Sequence, residues 1–172
     1  GADVLATSYA LAQGITVLGG ADLIICGRQT TDGDTAQVGP AIAEHLTLPH
    51  AAWVAEITGA DESAIRVRQD LVSVSQESEI PYPCLITVDK DMCVPRLPSY
   101  LLKKETAARP VRVLTFDDLP DQDLSRYGLI GSPTAVVRMF APPEREKQVY
   151  LEGDAAGKTD RLFAILTGKK II

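Results

Sequence analysis

Residues 27–40 read Gly-Arg-Gln-Thr-Thr-Asp-Gly-Asp-Thr-Ala-Gln-Val-Gly-Pro, a run of small, hydroxyl and amide residues with two carboxylates. It stands between an apolar run, residues 21–26, and a helical pattern over residues 35–45. In an open parallel sheet, ligands bind where the carboxyl end of a strand meets the start of a helix. The unpaired N–H groups of that helix carry partial positive charge and suit a phosphate. This turn is the candidate nucleotide site.

The electrostatics are divided. The turn has neither the glycine spacing and lysine of a phosphate-cradling P-loop nor the Gly-x-Gly-x-x-Gly pattern. Asp32 and Asp34 would each repel an anion, by roughly 4 kcal/mol per pair of unit charges 4 Å apart at an effective dielectric of about 20. A helix terminus returns only about 0.3–1 kcal/mol per charge. A phosphate therefore requires the carboxylates to point away, for example with Asp34 capping its own helix. A simple capped turn is the alternative on these residues alone.

Other chemistry is thin. His45 and His50 are the only histidines, and no Ser/His/Asp or Cys/His set can be assembled for hydrolysis. Cys26, Cys84 and Cys93 have no metal-like spacing. Cys26 and Cys84, at or beside strand runs, read as small buried hydrophobes, and an odd count without spacing fits a reducing cytoplasm. Residues 131–134, Gly-Ser-Pro-Thr, fit a loop near a ligand or a plain strand entry. Arg96 sits in a proline-stiffened loop with Leu97 and Tyr100 nearby, which suits a partner contact or a loop packed on its own domain.

A net charge of −6 with scattered basic residues argues against a nucleic-acid surface. No apolar run approaches the roughly 18 residues of a membrane span, and no signal peptide opens the chain. The 172 residues suffice for one core.

Positioning elements follow from periodicity. A helix begins at once, with Val4, Leu5, Leu11, Ile15 and Leu18 on one face and no strand before it to cover, which is expected of a fragment lacking its N-terminal part. A buried strand spans 21–26. The next helix runs over 35–45, capped by Asp34 with Gln37 in capping-box position. A strand follows over 51–57. Alternation over 64–68 and 71–75, broken at 77–79, predicts an antiparallel ribbon, and residues 84–88 a buried strand. After a proline-rich stretch come a short helix over 101–106, a strand over 111–116, a helical piece over 123–130, a strand over 135–140, a loop through 141–147 and an amphipathic helix over 156–167. The expected organisation is an α/β domain over 1–150, an open, mostly parallel doubly wound sheet with a small antiparallel ribbon, and a helical arm over 151–172.

In order and spacing these segments resemble the electron transfer flavoprotein beta subunit, the FixA-like family. The resemblance rests on Gly-Ala-Asp-Val-Leu-Ala-Thr-Ser at residues 1–8, and on the strand leading into Gly27-Arg28-Gln29, where Arg28 replaces the usual lysine. It also rests on the loop over 31–39, on Pro95-Arg96-Leu97-Pro98-Ser99, with Val94 in place of a glutamate, and on residues 131–136.

The resemblance implies an adenine-nucleotide hydrolase-like fold and pairing with an alpha subunit that holds its own FAD. It implies a second FAD, or a structural AMP, in this chain. The Asp32-to-Pro40 loop is similar to that of electron-bifurcating members, which leans towards FAD. In those members the flavin accepts hydride from NADH and its electrons are divided between two acceptors. Carried over by position, Gly27, Gln29, Asp32, Gly33, Asp34, Thr35, Ala36, Gln37 and Gly39 line the nucleotide pocket, with the Thr35 hydroxyl and the Thr35, Ala36 and Gln37 amides on the phosphates. Arg96, Leu97 and Tyr100 fall in the family's recognition loop, which contacts an acyl-CoA dehydrogenase or similar flavoenzyme. The expected role is an electron-transfer subunit, not a catalyst on its own. The alternatives are a redox-inert AMP-binding subunit bracing the alpha subunit and, more remotely, a stress-protein-like nucleotide module. Because the family's N-terminal strand and loop are absent, the isolated chain is expected to bind nucleotide weakly or not at all.

Overall fold

The computed structural model describes residues 1–141 and 150–171, in two compact units, Gly1–Ala135 and Val136–Ile172. The first unit is built on one five-stranded sheet. Strands β1 (Leu23–Gly27), β2 (His50–Ala60), β3 (Ala64–Leu71), β4 (Val74–Pro81) and β5 (Cys84–Val88) lie in the order β1-β5-β2-β3-β4. β5 pairs in parallel with both β1 and β2, while β2, β3 and β4 pair antiparallel. The open α/β sheet with its antiparallel ribbon is the fold class expected from sequence.

β5 has both faces covered, which is why residues 84–87 are all buried. On one face, helices α1 (Val4–Val17) and α2 (Val38–Leu46) pack through Ala12, Ile42 and Ala43 onto Leu85. On the other, Cys84 and Ile86 join Ala51, Val54, Ile65, Val67 and Ile80. The ribbon keeps a wet face with period two, where Arg66 bridges Asp61 and Glu79 at 3.1 Å each and Arg68 bridges Glu56 and Asp70.

Several expectations are corrected. α1 buries Ala6, Ser8 and Ala12, whereas Leu5, Leu11 and Leu18 of the expected apolar stripe are largely exposed. The small side chains are what let α1 approach α2. The alternating run over 71–75 straddles the turn between β3 and β4, and the expected break at 77–79 lies within β4. Residues 111–115 form no strand; Val111 and Val113 are exposed and lead into a single 3₁₀ turn, Phe116–Asp118. The helical piece expected over 123–130 is reduced to a 3₁₀ turn, Leu124–Arg126. Residues 135–140 likewise have no sheet partner among the described residues. The loop expected through 141–147 falls, from residue 142 on, outside the described residues.

Helix α2 starts at Val38, three residues later than its pattern predicts, and its N-cap is Gln37 with no side-chain bond. Pro40 explains the shift. In a helix begun at Thr35 its ring would press on the carbonyl of Ala36, and its missing N–H would leave that carbonyl unbonded. Begun at Val38, the helix carries Pro40 in its first turn, where the N–H has no helical partner anyway.

The Gly-Ser-Pro-Thr motif enters no strand among the described residues and instead clasps the start of α1. Asp3 caps α1 through Oδ1, which accepts from the Ala6 amide at 3.1 Å, while its Oδ2 accepts from the Thr134 amide and hydroxyl at 3.0 and 2.9 Å. Ser132 Oγ accepts from the Asp3 amide at 2.9 Å and donates to Gly128 O at 2.6 Å. Gly131 is required there, because a Cβ would stand 2.2 Å from the Arg126 carbonyl carbon. Tyr9 donates to Asp121, completing the clasp of residues 116–134 on α1.

The second unit carries a helix, α4 (Ala155–Gly168), capped by Asp154, whose carboxylate accepts from the Gly157 amide at 3.0 Å. The short α3 (Tyr100–Thr106) belongs to the first unit and buries no residue.

Candidate functional site

The carboxyl ends of β1 and β5 lie side by side, with Gly27 paired to Val88. The chain leaves β1 through Arg28 and Gln29 and leaves β5 through Asp89 and Lys90. Between these exits lies a cleft of about 480 Å³ lined by Gly27, Arg28, Gln29, Thr30, Thr31, Asp34, Val88, Asp89 and Lys90. A second cleft of about 480 Å³ opens at the amino ends of the same strands, but its one charged lining residue is Asp22. The polar convergence at the carboxyl end makes that cleft the candidate site.

Of the residues marked from sequence, the structure brings Gly27, Gln29 and Asp34 into the cleft wall. Asp32, Gly33, Thr35, Ala36 and Gln37 sit on the same loop without lining it. Gly39 is a buried residue in the first turn of α2. Its missing side chain admits the Thr87 methyl, which a Cβ would meet at 2.4 Å. Gly39 therefore sets how close α2 comes to β5.

Asp34 does not cap α2, contrary to the arrangement that would have turned it from a phosphate. It accepts from Gln29 Nε2, within the cleft wall. The loop is otherwise folded on Thr30, whose carbonyl accepts from the Asp34 amide at 3.1 Å and whose Oγ1 accepts from the Gly33 amide at 3.3 Å. The Thr30 hydroxyl and the Gly33 amide hold the Asp32 carboxyl below the usual range. Asp34 and Ala36 both take left-handed φ, 51° and 54°. Non-glycine residues rarely adopt this conformation and tend to do so at functional sites. Among the described residues the amides of Thr35, Ala36 and Gln37 have no hydrogen-bond partner, on a loop that is largely open to solvent.

Two contributors to the site gave no sequence signal strong enough to find them. Asp89 accepts from Arg28 Nη1 at 2.8 Å. That guanidinium and the Lys90 amide hold its carboxyl below the ordinary range. The position, directly after a parallel strand, is the one clue the sequence offers. Trp53 lies on β2 with φ 61°, and the Arg28 guanidinium stacks over its ring at 4.4 Å from the centroid. The Arg28 Nε atom is buried and has no hydrogen-bond partner among the described residues. An orphaned donor in the wall and free amides on the adjoining loop suit the phosphate-bearing end of a nucleotide, while the wall carboxylates of Asp34 and Asp89, held by Gln29 and Arg28, oppose it.

The marked partner loop stands apart from this cleft. Leu97 is 93% exposed and Tyr100 76%. Arg96 is exposed beside them, and Ser99 caps α3 through the Leu102 amide. Among the described residues no helix is long and apolar enough to cross a membrane.

An electron transfer flavoprotein domain matches residues 1–119. The chain is 37% identical, over its whole length, to the acryloyl-CoA reductase electron transfer subunit gamma of Anaerotignum propionicum. It is 36% identical, again over its whole length, to the electron transfer flavoprotein subunit beta of Megasphaera elsdenii. The caffeyl-CoA reductase-Etf complex subunit CarD of Acetobacterium woodii is 37% identical over 84% of this chain and 55% of that relative. The chain spans 66% of the length of each of the first two. A matching domain over residues 1–119, with 36% identity over the whole of this chain to an electron transfer flavoprotein subunit beta, establishes that the chain belongs to the electron transfer flavoprotein beta-subunit family.

Proposed function

We propose that this protein is the beta subunit of an electron transfer flavoprotein, pairing with an alpha subunit and carrying electrons between NADH or acyl-CoA dehydrogenases and other carriers. Its own cofactor is an FAD held at the carboxyl-end cleft. The observation that carries this reading is an open cleft at the β1 and β5 ends whose wall loop runs on, from Asp34, into the unpartnered amides of Thr35, Ala36 and Gln37. Gly27 and Gln29 form the cleft wall, and the Thr35 hydroxyl with the three amides holds the phosphates. Asp32, Gly33 and Asp34 shape the loop, and Gly39 keeps the start of α2 against the sheet. When bound, a flavin supplies electron uptake and release that no side chain here provides. The chain's task is to hold it, orient it and set its electrostatic surroundings.

Arg96, Leu97 and Tyr100 form the contact for a partner flavoenzyme. A near-fully exposed leucine on a proline-bounded loop is a side chain waiting for an apolar pocket. Residues 151–172 serve as a helical arm towards the alpha subunit, as the exposed Leu162, Phe163 and Ile165 of α4 suit. The relatives' names support the role, since one is an electron transfer subunit of a reductase and another belongs to a reductase–Etf complex.

The test is the cofactor content of the assembled heterodimer. Two flavins per dimer by absorbance, with no AMP in the extract, is the expected result. One flavin with one AMP overturns the FAD assignment and makes the subunit a redox-inert brace.

A further inference from the structure

Between Ala51, paired with Ile86, and Val54, paired with Val88, β2 carries two residues where β5 carries one, Thr87. This bulge changes the parity of the strand, so that Ala51 and Val54 both enter the same buried cluster. Trp53 is thereby re-aimed. Its backbone takes φ 61°, rarely adopted by a bulky aromatic, and its amide donates to the buried Thr87 Oγ1 at 3.0 Å. The ring lies against the Arg28 guanidinium at 4.4 Å.

We propose that Trp53 is a positioning residue for the cleft: its ring holds Arg28 flat at the wall, so that the guanidinium edge takes the phosphate group of the bound nucleotide in exchange for Asp89. This rests on the nucleotide reading of the cleft given above. A guanidinium stacked on an aromatic face keeps its N–H edge free for bidentate recognition. Of the five donors on that edge, the structure gives Nη1 to Asp89 at 2.8 Å and leaves the buried Nε without a partner. Lys90, the other cation in the wall, is already paired with Asp91 at 2.7 Å. Asp89 thus acts as a stand-in acceptor, holding Arg28 ready and offsetting its charge in the cleft wall.

The experiment compares AMP with adenosine, which differ only in the phosphate, titrated into the full chain to millimolar concentration by equilibrium dialysis. The gain in affinity from phosphate is about tenfold or more, as charge-assisted recognition predicts. Arg28→Gln brings the AMP-to-adenosine ratio close to one. Trp53→Leu lowers the ratio most of the way, Trp53→Phe retains it, and Asp89→Asn raises it. The fluorescence of Trp53, the one tryptophan of the chain, changes with AMP and not with adenosine. If Trp53→Leu fails to fold by circular dichroism, the Arg28→Gln and Asp89→Asn ratios decide. A ratio unaltered in those variants while AMP still binds overturns the Arg28–Trp53 assignment alone. Failure of both the wild-type chain and its heterodimer with the alpha subunit to bind AMP, adenosine or FAD overturns the cleft reading and this assignment together.

Discussion

Gly39 and Thr87 meet where helix and sheet come closest: a Cβ on Gly39 would stand 2.4 Å from the Thr87 methyl. Thr87 cannot simply rotate away, because its hydroxyl accepts the Trp53 amide on the far side. The contact therefore couples the start of α2 to the bulge that aims Trp53 at Arg28. Gly39→Ala gains up to about 1 kcal/mol of helix propensity. It forces overpacking that costs about 1–3 kcal/mol or more. A lowered urea midpoint with an unchanged slope is expected.

Thr87→Val preserves the shape of that contact and removes only the acceptor. Leaving the Trp53 amide unbonded costs about 1–3 kcal/mol. The bulge loosens as a result, and the emission of Trp53 moves towards that of a solvated indole. Chemical denaturation followed by fluorescence reads both effects in one titration.

The pH dependence follows from aspartates that are hydrogen-bonded in the folded chain. Burial of Asp3 pushes its carboxyl up, but bonds from Ala6 and from the Thr134 amide and hydroxyl outweigh it and leave it lowered. The Tyr9 hydroxyl and the Asp123 amide lower Asp121, and Arg28 with the Lys90 amide lowers Asp89. A lowered folded-state value means that stabilisation is fully present above the unfolded carboxylate pKa, about 4. It is lost as pH falls through the folded values beneath that. Urea midpoints should be flat from neutral pH to about pH 5 and fall below about pH 4. Asp3→Ala lowers the midpoint at neutral pH and makes the acid fall shallower.

Leu97→Ala alters a side chain that touches solvent, so stability should move by less than about 0.5 kcal/mol. Under the proposed function the rate of electron transfer with the partner flavoenzyme falls severalfold, and Tyr100→Ala does the same. Stopped-flow reduction measured beside the melting temperature separates loss of contact from loss of fold.

Strands β1, β2 and β5 and the ribbon were legible because hydrophobic period reports burial, and β5 is buried on both faces. The start of α2 was misplaced because Asp34 and Gln37 imitate a capping box, while Pro40 decides where a helix can begin. The strands expected at 111–116 and 135–140 failed because β-branched residues give strand character without a neighbour to pair with. The stripe on α1 misled for the opposite reason: alanines, weak in any hydrophobic count, make the closest packing. Trp53 was invisible because a bulge, set by pairing with a distant strand, changed which way it faces. The role of Gly-Ser-Pro-Thr was equally hidden, since its partner, Asp3, lies 131 positions from Thr134.

Amide hydrogen exchange along the loop, with and without AMP or FAD at saturating concentration, tests the account at its centre. Bound nucleotide should slow exchange at the Thr35, Ala36 and Gln37 amides and at the ends of β1 and β5, leaving the cleft between Ile15 and Leu48 unaffected. Protection confined to that opposite cleft, or bound nucleotide with no change at Thr35 to Gln37, would contradict it.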